Sequence, residues 1–212
     1  MKRILLTLSI VILMTINGFA QYKPFQFGLS IAPSVSMTKS NCDIIDDCVS
    51  KLSYNFGFKG NFYFVENYGF STGFNLLNLR GGYSFKDKKN GDISSNIKCQ
   101  YLEIPLTMMM RTEKIGKARI VGNIGYGMGF RLNSVQENTN AKGNIVEMDN
   151  QFRLLRHAFI VKLGAEFNVY KSSCLSVFLA YNNNFSNIYK KDNPLEHNVS
   201  LNNLCLEIDF VF

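Results

Sequence analysis

After its first stretch the chain has no apolar run long enough to cross a bilayer as a helix, which takes about 20 residues. It has only two histidines and no CxxC pair or Cys/His cluster, which argues against a zinc centre. No nucleophile elbow, P-loop or HExxH segment occurs, so the common hydrolase, nucleotide and metalloprotease signatures are missing. No cofactor is expected. The 23 Lys plus Arg outnumber the 16 Asp plus Glu, but they are scattered singly and in polar loops rather than gathered with aromatics on one face. Nucleic acid is therefore not expected as a partner.

What is present begins with "MKRILLTLSIVILMTINGFAQ", in which Lys2 and Arg3 precede an apolar run from Ile4 to Ile16 and a small-residue site at Gly18–Ala20. That order predicts a secretory signal peptide over residues 1–20 and a single mature domain over 21–212. The alternative, a retained anchor, is disfavoured because the run is shorter than a spanning helix.

Period-two alternation then continues almost to the last residue, which predicts strands. Phe27, Leu29 and Ile31 alternate with Gln26, Gly28 and Ser30; Phe56 and Phe58 alternate with Asn55, Gly57 and Lys59. Similar strings begin near Tyr68, Tyr101, Arg119, Ala158 and Cys174, and the eighth is the closing "CLEIDFVF". A phase slip at "LLNLRGG" predicts a bulge in the third strand. Connections alternate in length. "VENY", "TEKIGK" and "YKSS" are short, whereas "MTKSNCDIIDDCVS", "SFKDKKNGDISSN", "NSVQENTNAKGNIVEMDNQF" and "SNIYKKDNPLEH" are long and polar. The predicted fold is all-β: an eight-stranded antiparallel up-and-down transmembrane barrel, with short turns in the periplasm and long loops outside.

Alternation alone does not say which face meets lipid, and a secreted soluble calycin-like ligand-binding barrel is the competing fold. The polar face mixes Gly and Ser with Lys59, Glu103, Arg111, Arg119, Arg131, Lys162, Glu166, Glu207 and Asp209. Opposite charges suit mutual pairing in a lumen that eight strands leave only just wide enough for side chains. The apolar face is therefore assigned to lipid.

The segments "FAQYKPFQFGLSIAP", "QYLEIPLTMMMR", "GNIGYGMGF" and "CLEIDFVF" together resemble the PorT-type outer-membrane β-barrel family of the Bacteroidetes. The resemblance implies insertion into the outer membrane by the barrel assembly machinery, which reads a terminal strand ending in an aromatic. Carried onto this chain, that signal is Leu206, Ile208, Phe210 and Phe212. The family's name-giving member takes part in protein secretion, so the resemblance also implies secretion-system components as partners for the loops.

The residues support a non-enzymatic barrel of structural, adhesive or secretion-associated role. The alternative is an enzyme acting on outer-leaflet lipid with His157 or His197 as base, near Glu196 and Ser200. Cys42 and Cys48 enclose a short polar segment and are candidates for a disulfide in an oxidising compartment. Asp43, Asp46 and Asp47 between them lack the spacing and Gly of a calcium loop, and no metal site is assigned. Cys99, Cys174 and Cys205 fall within strands and are expected as buried thiols.

Overall fold

A computed structural model describes residues 24–40, 45–87, 91–145, 152–170, 173–190 and 199–212. The predicted signal peptide, Cys42, Asp43, Glu196 and His197 lie outside these residues, as does the side chain of Asp46. Eight strands, β1 (Phe25–Ser40), β2 (Ile45–Val65), β3 (Tyr68–Asp87), β4 (Gly91–Arg111), β5 (Ala118–Asn140), β6 (Leu155–Tyr170), β7 (Ser173–Asn184) and β8 (Val199–Val211), pair in sequence order into a closed antiparallel barrel.

The seam lies between β1 and β8, with Ile31 opposite Ile208 and Leu29 opposite Phe210. Its last rung is a reciprocal pair: Phe212 N–H donates to Phe27 O at 2.7 Å, and Phe27 N–H donates to Phe212 O at 3.1 Å. Closure matters because hydrocarbon offers no partner to an unpaired backbone group. Leu206, Ile208, Phe210 and Phe212 all point outward, while Glu207 and Asp209 point in and are buried.

Outward positions through the lower strands form a continuous apolar belt that includes Phe27, Leu29 and Ile31 on β1, Phe58 and Phe62 on β2, and Leu163 on β6. On β4 the belt runs from Leu102 to Met110. Eight steps of about 3.4 Å, tilted by about 40°, give about 21 Å along the membrane normal before side-chain width, close to the ~25 Å belt of outer-membrane barrels.

The strands differ from expectation at their outer ends. β2 to β5 are 20–23 residues long, about twice what a spanning strand requires. Two of the four segments read as long loops are mostly strand: β1 ends at Ser40 and β2 begins at Ile45, and β3 ends at Asp87 and β4 begins at Gly91. The 141–154 and 185–198 connections are the long ones, and the links of 66–67, 112–117 and 171–172 are short as expected.

The predicted bulge in β3 is also corrected. Register shifts between Ser50 and Tyr54, against Gly81 and Asn78, so the extra residue is on β2. Odd-numbered β3 residues stay inward from Gly69 to Phe85. What changes is the chemistry: Leu77, Leu79, Tyr83 and Phe85 are buried inside, whereas Arg80 and Lys86 are exposed outside. A second bulge at Leu132, between the pairs Tyr101–Arg131 and Gln100–Asn133, turns β5 over at the same level. Above the belt β3 and β4 thus revert to the soluble pattern, with a mostly apolar inside and a polar outside, while β5 turns Ser134, Gln136 and Asn138 inward.

The Gly-rich stretch of β5 has a steric cause. A Cβ on Gly127 would lie 2.9 Å from the Glu103 carboxylate and 2.8 Å from Ile160, and one on Gly129 would meet Arg156 Cβ at 3.2 Å. A Cβ on Gly122 meets only a backbone oxygen at 3.9 Å. Gly127→Leu is expected to abolish folding, read as loss of heat-modifiable migration on electrophoresis, while Gly122→Ala migrates as the parent does. Deleting Phe212 removes the closing rung, and the folded fraction recovered in membranes is expected to fall several-fold by the same measure.

Candidate functional site: the filled lumen and outer rim

The bore is filled in three levels among the described residues. At the periplasmic end Tyr63, Met109, Val121 and Phe178 form a small apolar floor. The Arg111 guanidinium stacks 4.0 Å from the Tyr63 ring centre and reaches Glu166 at 3.5 Å.

Above the floor lies the ionic level. Lys59 Nζ donates to Glu207 Oε1 at 2.9 Å and to Asp209, and Lys162 Nζ donates to both oxygens of Glu207 at 2.7 Å. Glu207 therefore bridges two lysines from opposite walls. Arg156 donates to Glu103 at 2.6 Å, and their side chains are only 2% and 1% exposed. Charges this deeply buried are tolerated only with close, hydrogen-bonded partners. Between Glu103, Lys162 and Glu207 remains a cavity of about 10 Å³, the size of one water molecule. Glu103 Oε1, Asn55 Oδ1 and Asn182 Oδ1 have no donor among the described residues, and their residues line it.

The outer level is a hydrophobic core built from Leu77, Leu79, Tyr83 and Phe85 of β3, Ile93, Ile97, Cys99 and Tyr101 of β4, and Val199 and Leu201 of β8. Two connections fold over it and contribute Phe152, Ile188 and Tyr189. Arg153 N–H donates to Ile188 O at 2.8 Å, and Ile188 N–H donates to Val199 O at 2.9 Å. Tyr189 is hydrogen-bonded to Tyr83 at 2.9 Å and donates to Gln136 at 2.8 Å. Burial pushes the Tyr189 phenol above its ordinary pKa, so it stays a neutral donor.

Seven of the nine predicted lumen charges belong to the buried pairs: Lys59, Glu103, Arg111, Lys162, Glu166, Glu207 and Asp209. Arg119 instead pairs at 3.3 Å with Glu66 in the periplasmic β2–β3 turn. Arg131 stands apart from these ion pairs: it donates to Ser134 at 3.0 Å and lies 5.8 Å from the Phe152 ring centre, at the bulge, with no carboxylate partner among the described residues. The residue missed was Arg156. It continues the even-numbered inward phase of Ala158, Ile160 and Lys162, and that phase was the available signal.

His157 faces outward above the belt, where its Nδ1 is hydrogen-bonded to Tyr126 Oη and its ring forms a three-ring cluster with Tyr126 and Phe185. The nearby Ser186 hydroxyl accepts from the His157 backbone N–H at 3.0 Å and donates to Asn184 at 2.8 Å. Ser200 is engaged with Lys39 O at 3.5 Å. Neither hydroxyl is hydrogen-bonded to the imidazole of His157, as a nucleophile–base pair requires. Cys99, Cys174 and Cys205 are buried free thiols as expected, and Cys48 is exposed at the outer part of β2.

Residues 19–192 match the family model described as an outer membrane protein beta-barrel domain. The chain belongs to this family. Membership places the barrel in an outer membrane and removes the soluble calycin-like alternative. Among solved structures it is similar to the outer membrane protein OprG of Pseudomonas aeruginosa, at 10% identity and TM-score 0.50 over 89% of this chain and 95% of that one. It also resembles Neisserial surface protein A, at 9% identity and TM-score 0.48 over 89% and 96%. A third is Ail, the attachment invasion locus protein of Yersinia pestis, at 15% identity and TM-score 0.41 over 90% and 100%. The likeness to OprG supports the fold. No curated protein sequence matches the chain.

Because Glu207 holds two buried lysines, Glu207→Gln in this family member should cost about 3–5 kcal/mol, the scale for breaking a buried pair. Glu137→Gln, which removes an exposed partner of Lys98, should cost under about 1 kcal/mol. Denaturant midpoints of the barrel refolded in detergent measure both.

Proposed function

We infer that this barrel is a non-conducting, non-enzymatic surface protein whose raised outer wall and two long connections serve recognition, in an adhesive or secretion-associated role. The observation that carries the reading is the filled bore. An apolar floor, paired charges and a hydrophobic core occupy successive levels, so the interior is spent on stability rather than on a path for solute. Strand length is instead invested outside the membrane, where β2 to β5 continue as a wall with its own core, a rigid scaffold for loops. Such a platform suits contact with another macromolecule better than catalysis.

The partners that fit are outer-membrane lipid around the belt, the barrel assembly machinery during insertion, and secretion-system components at the outer loops. The terminal aromatic Phe212 and the alternating Leu206, Ile208 and Phe210 serve as the assembly signal in this reading. Full-length protein reconstituted in planar bilayers is expected to show no discrete conductance steps under applied voltage. Reproducible single-channel steps would overturn the reading.

A further inference from the structure

One outward-facing ladder across β3 and β4 changes character in three rungs. Leu76 faces Leu102, Asn78 faces Gln100, and Arg80 faces Lys98, each as direct cross-strand partners. The first rung is the top of the lipid belt. Four residues at about 3.4 Å per step and a tilt near 40° put the third rung about 10 Å above it, within reach of the headgroup layer for long side chains that bend toward it.

The third rung sets like charges directly opposite each other, an arrangement that destabilises a strand pair. Lys98 is partly relieved by Glu137 at 3.3 Å, with both side chains more than half exposed. Among the described residues no carboxylate forms an ion pair with Arg80. The amide rung is already ordered: Gln100 Nε2 donates to Asn78 Oδ1 at 3.1 Å, and Asn78 Nδ2 donates to Tyr54 O at 3.3 Å. Arg80, Lys98, Asn78, Gln100, Asn133 and Val135 line one open surface cleft of about 200 Å³. The Leu76–Leu102 rung of the belt is the next outward rung below its Asn78–Gln100 edge.

We propose that this cleft binds the phosphorylated headgroup of an outer-leaflet glycolipid. Arg80 and Lys98 clamp the phosphate, the Asn78–Gln100 rung meets the sugar, and the Leu76–Leu102 rung meets the acyl chains. The order of the three rungs matches the order of chemistry along such a lipid. A phosphate between Arg80 and Lys98 also converts a repulsive pair into two charge-assisted contacts. The inference goes beyond the recognition role proposed above, because it concerns the wall rather than the loops.

Native mass spectrometry of the full chain in detergent tests it with three probes: lipid A bearing its phosphates, dephosphorylated lipid A, and inorganic phosphate. Phosphorylated lipid A should be retained, and retention should fall about tenfold in the double variant R80Q/K98Q, the loss of one to two charge-assisted contacts. The exposed loop variant K142Q should retain it as the parent does. Equal retention by R80Q/K98Q, or of the dephosphorylated lipid, would overturn the proposal, as would full displacement by millimolar phosphate, which marks a free-anion site. Should the double variant not fold, the comparison of the two lipids on the unaltered chain decides the matter.

Discussion

Everything in this barrel follows from the need to pair every backbone N–H and C=O where no water is available. An eight-stranded sheet meets that need only by closing on itself, here through the β1–β8 seam and its last rung between Phe27 and Phe212. Closure with so few strands fixes a bore just wide enough for side chains. The bore then dictates composition. Glycines on β5 make room for Glu103 and Arg156, and every large charge inside must find its counterpart across the lumen.

The interior therefore does two jobs with two chemistries. Where the outside must be apolar for lipid, the inside is held by hydrogen bonds and ion pairs centred on Glu207. Where the outside is wet, the inside is an ordinary hydrophobic core around Tyr83, Tyr101 and Leu201. The exchange takes place without a break in β3 or β4, and with bulges on β2 and β5. Two local insertions let neighbouring strands keep pairing while their side chains are re-aimed.

The strand count, the up-and-down order and the facing of the lower halves were legible in the sequence, because strict alternation survives wherever one face meets lipid. The outer halves were not. Period two is the same whether the apolar set points in or out, so Leu77 and Leu79 following Leu76 looked like a slip in β3 when the environment, not the register, had changed. Strand ends were obscured for the same reason: "SFKDKKNGDISSN" is polar because its outward residues meet water, and it reads as loop although most of it is sheet. Of the ionic level, the inward positions were visible from parity, but the pairings were not. Lys59 meets Glu207 and Arg111 meets Glu166 only because the sheet closes, and linear spacing carries no trace of that.

The reversal of polarity above Leu76 and Leu102 also acts as a waterline. Sinking the barrel by one rung would begin to draw Asn78 and Gln100 into hydrocarbon, and a deeper descent would take Arg80 and Lys98, each costing up to about 2–4 kcal/mol at the midplane. Raising it would strip lipid from the lowest Phe and Met residues at the periplasmic rim. Immersion depth is thereby pinned from both sides. A membrane thinner or thicker than the belt must deform to meet the protein, rather than the protein riding up or down within it.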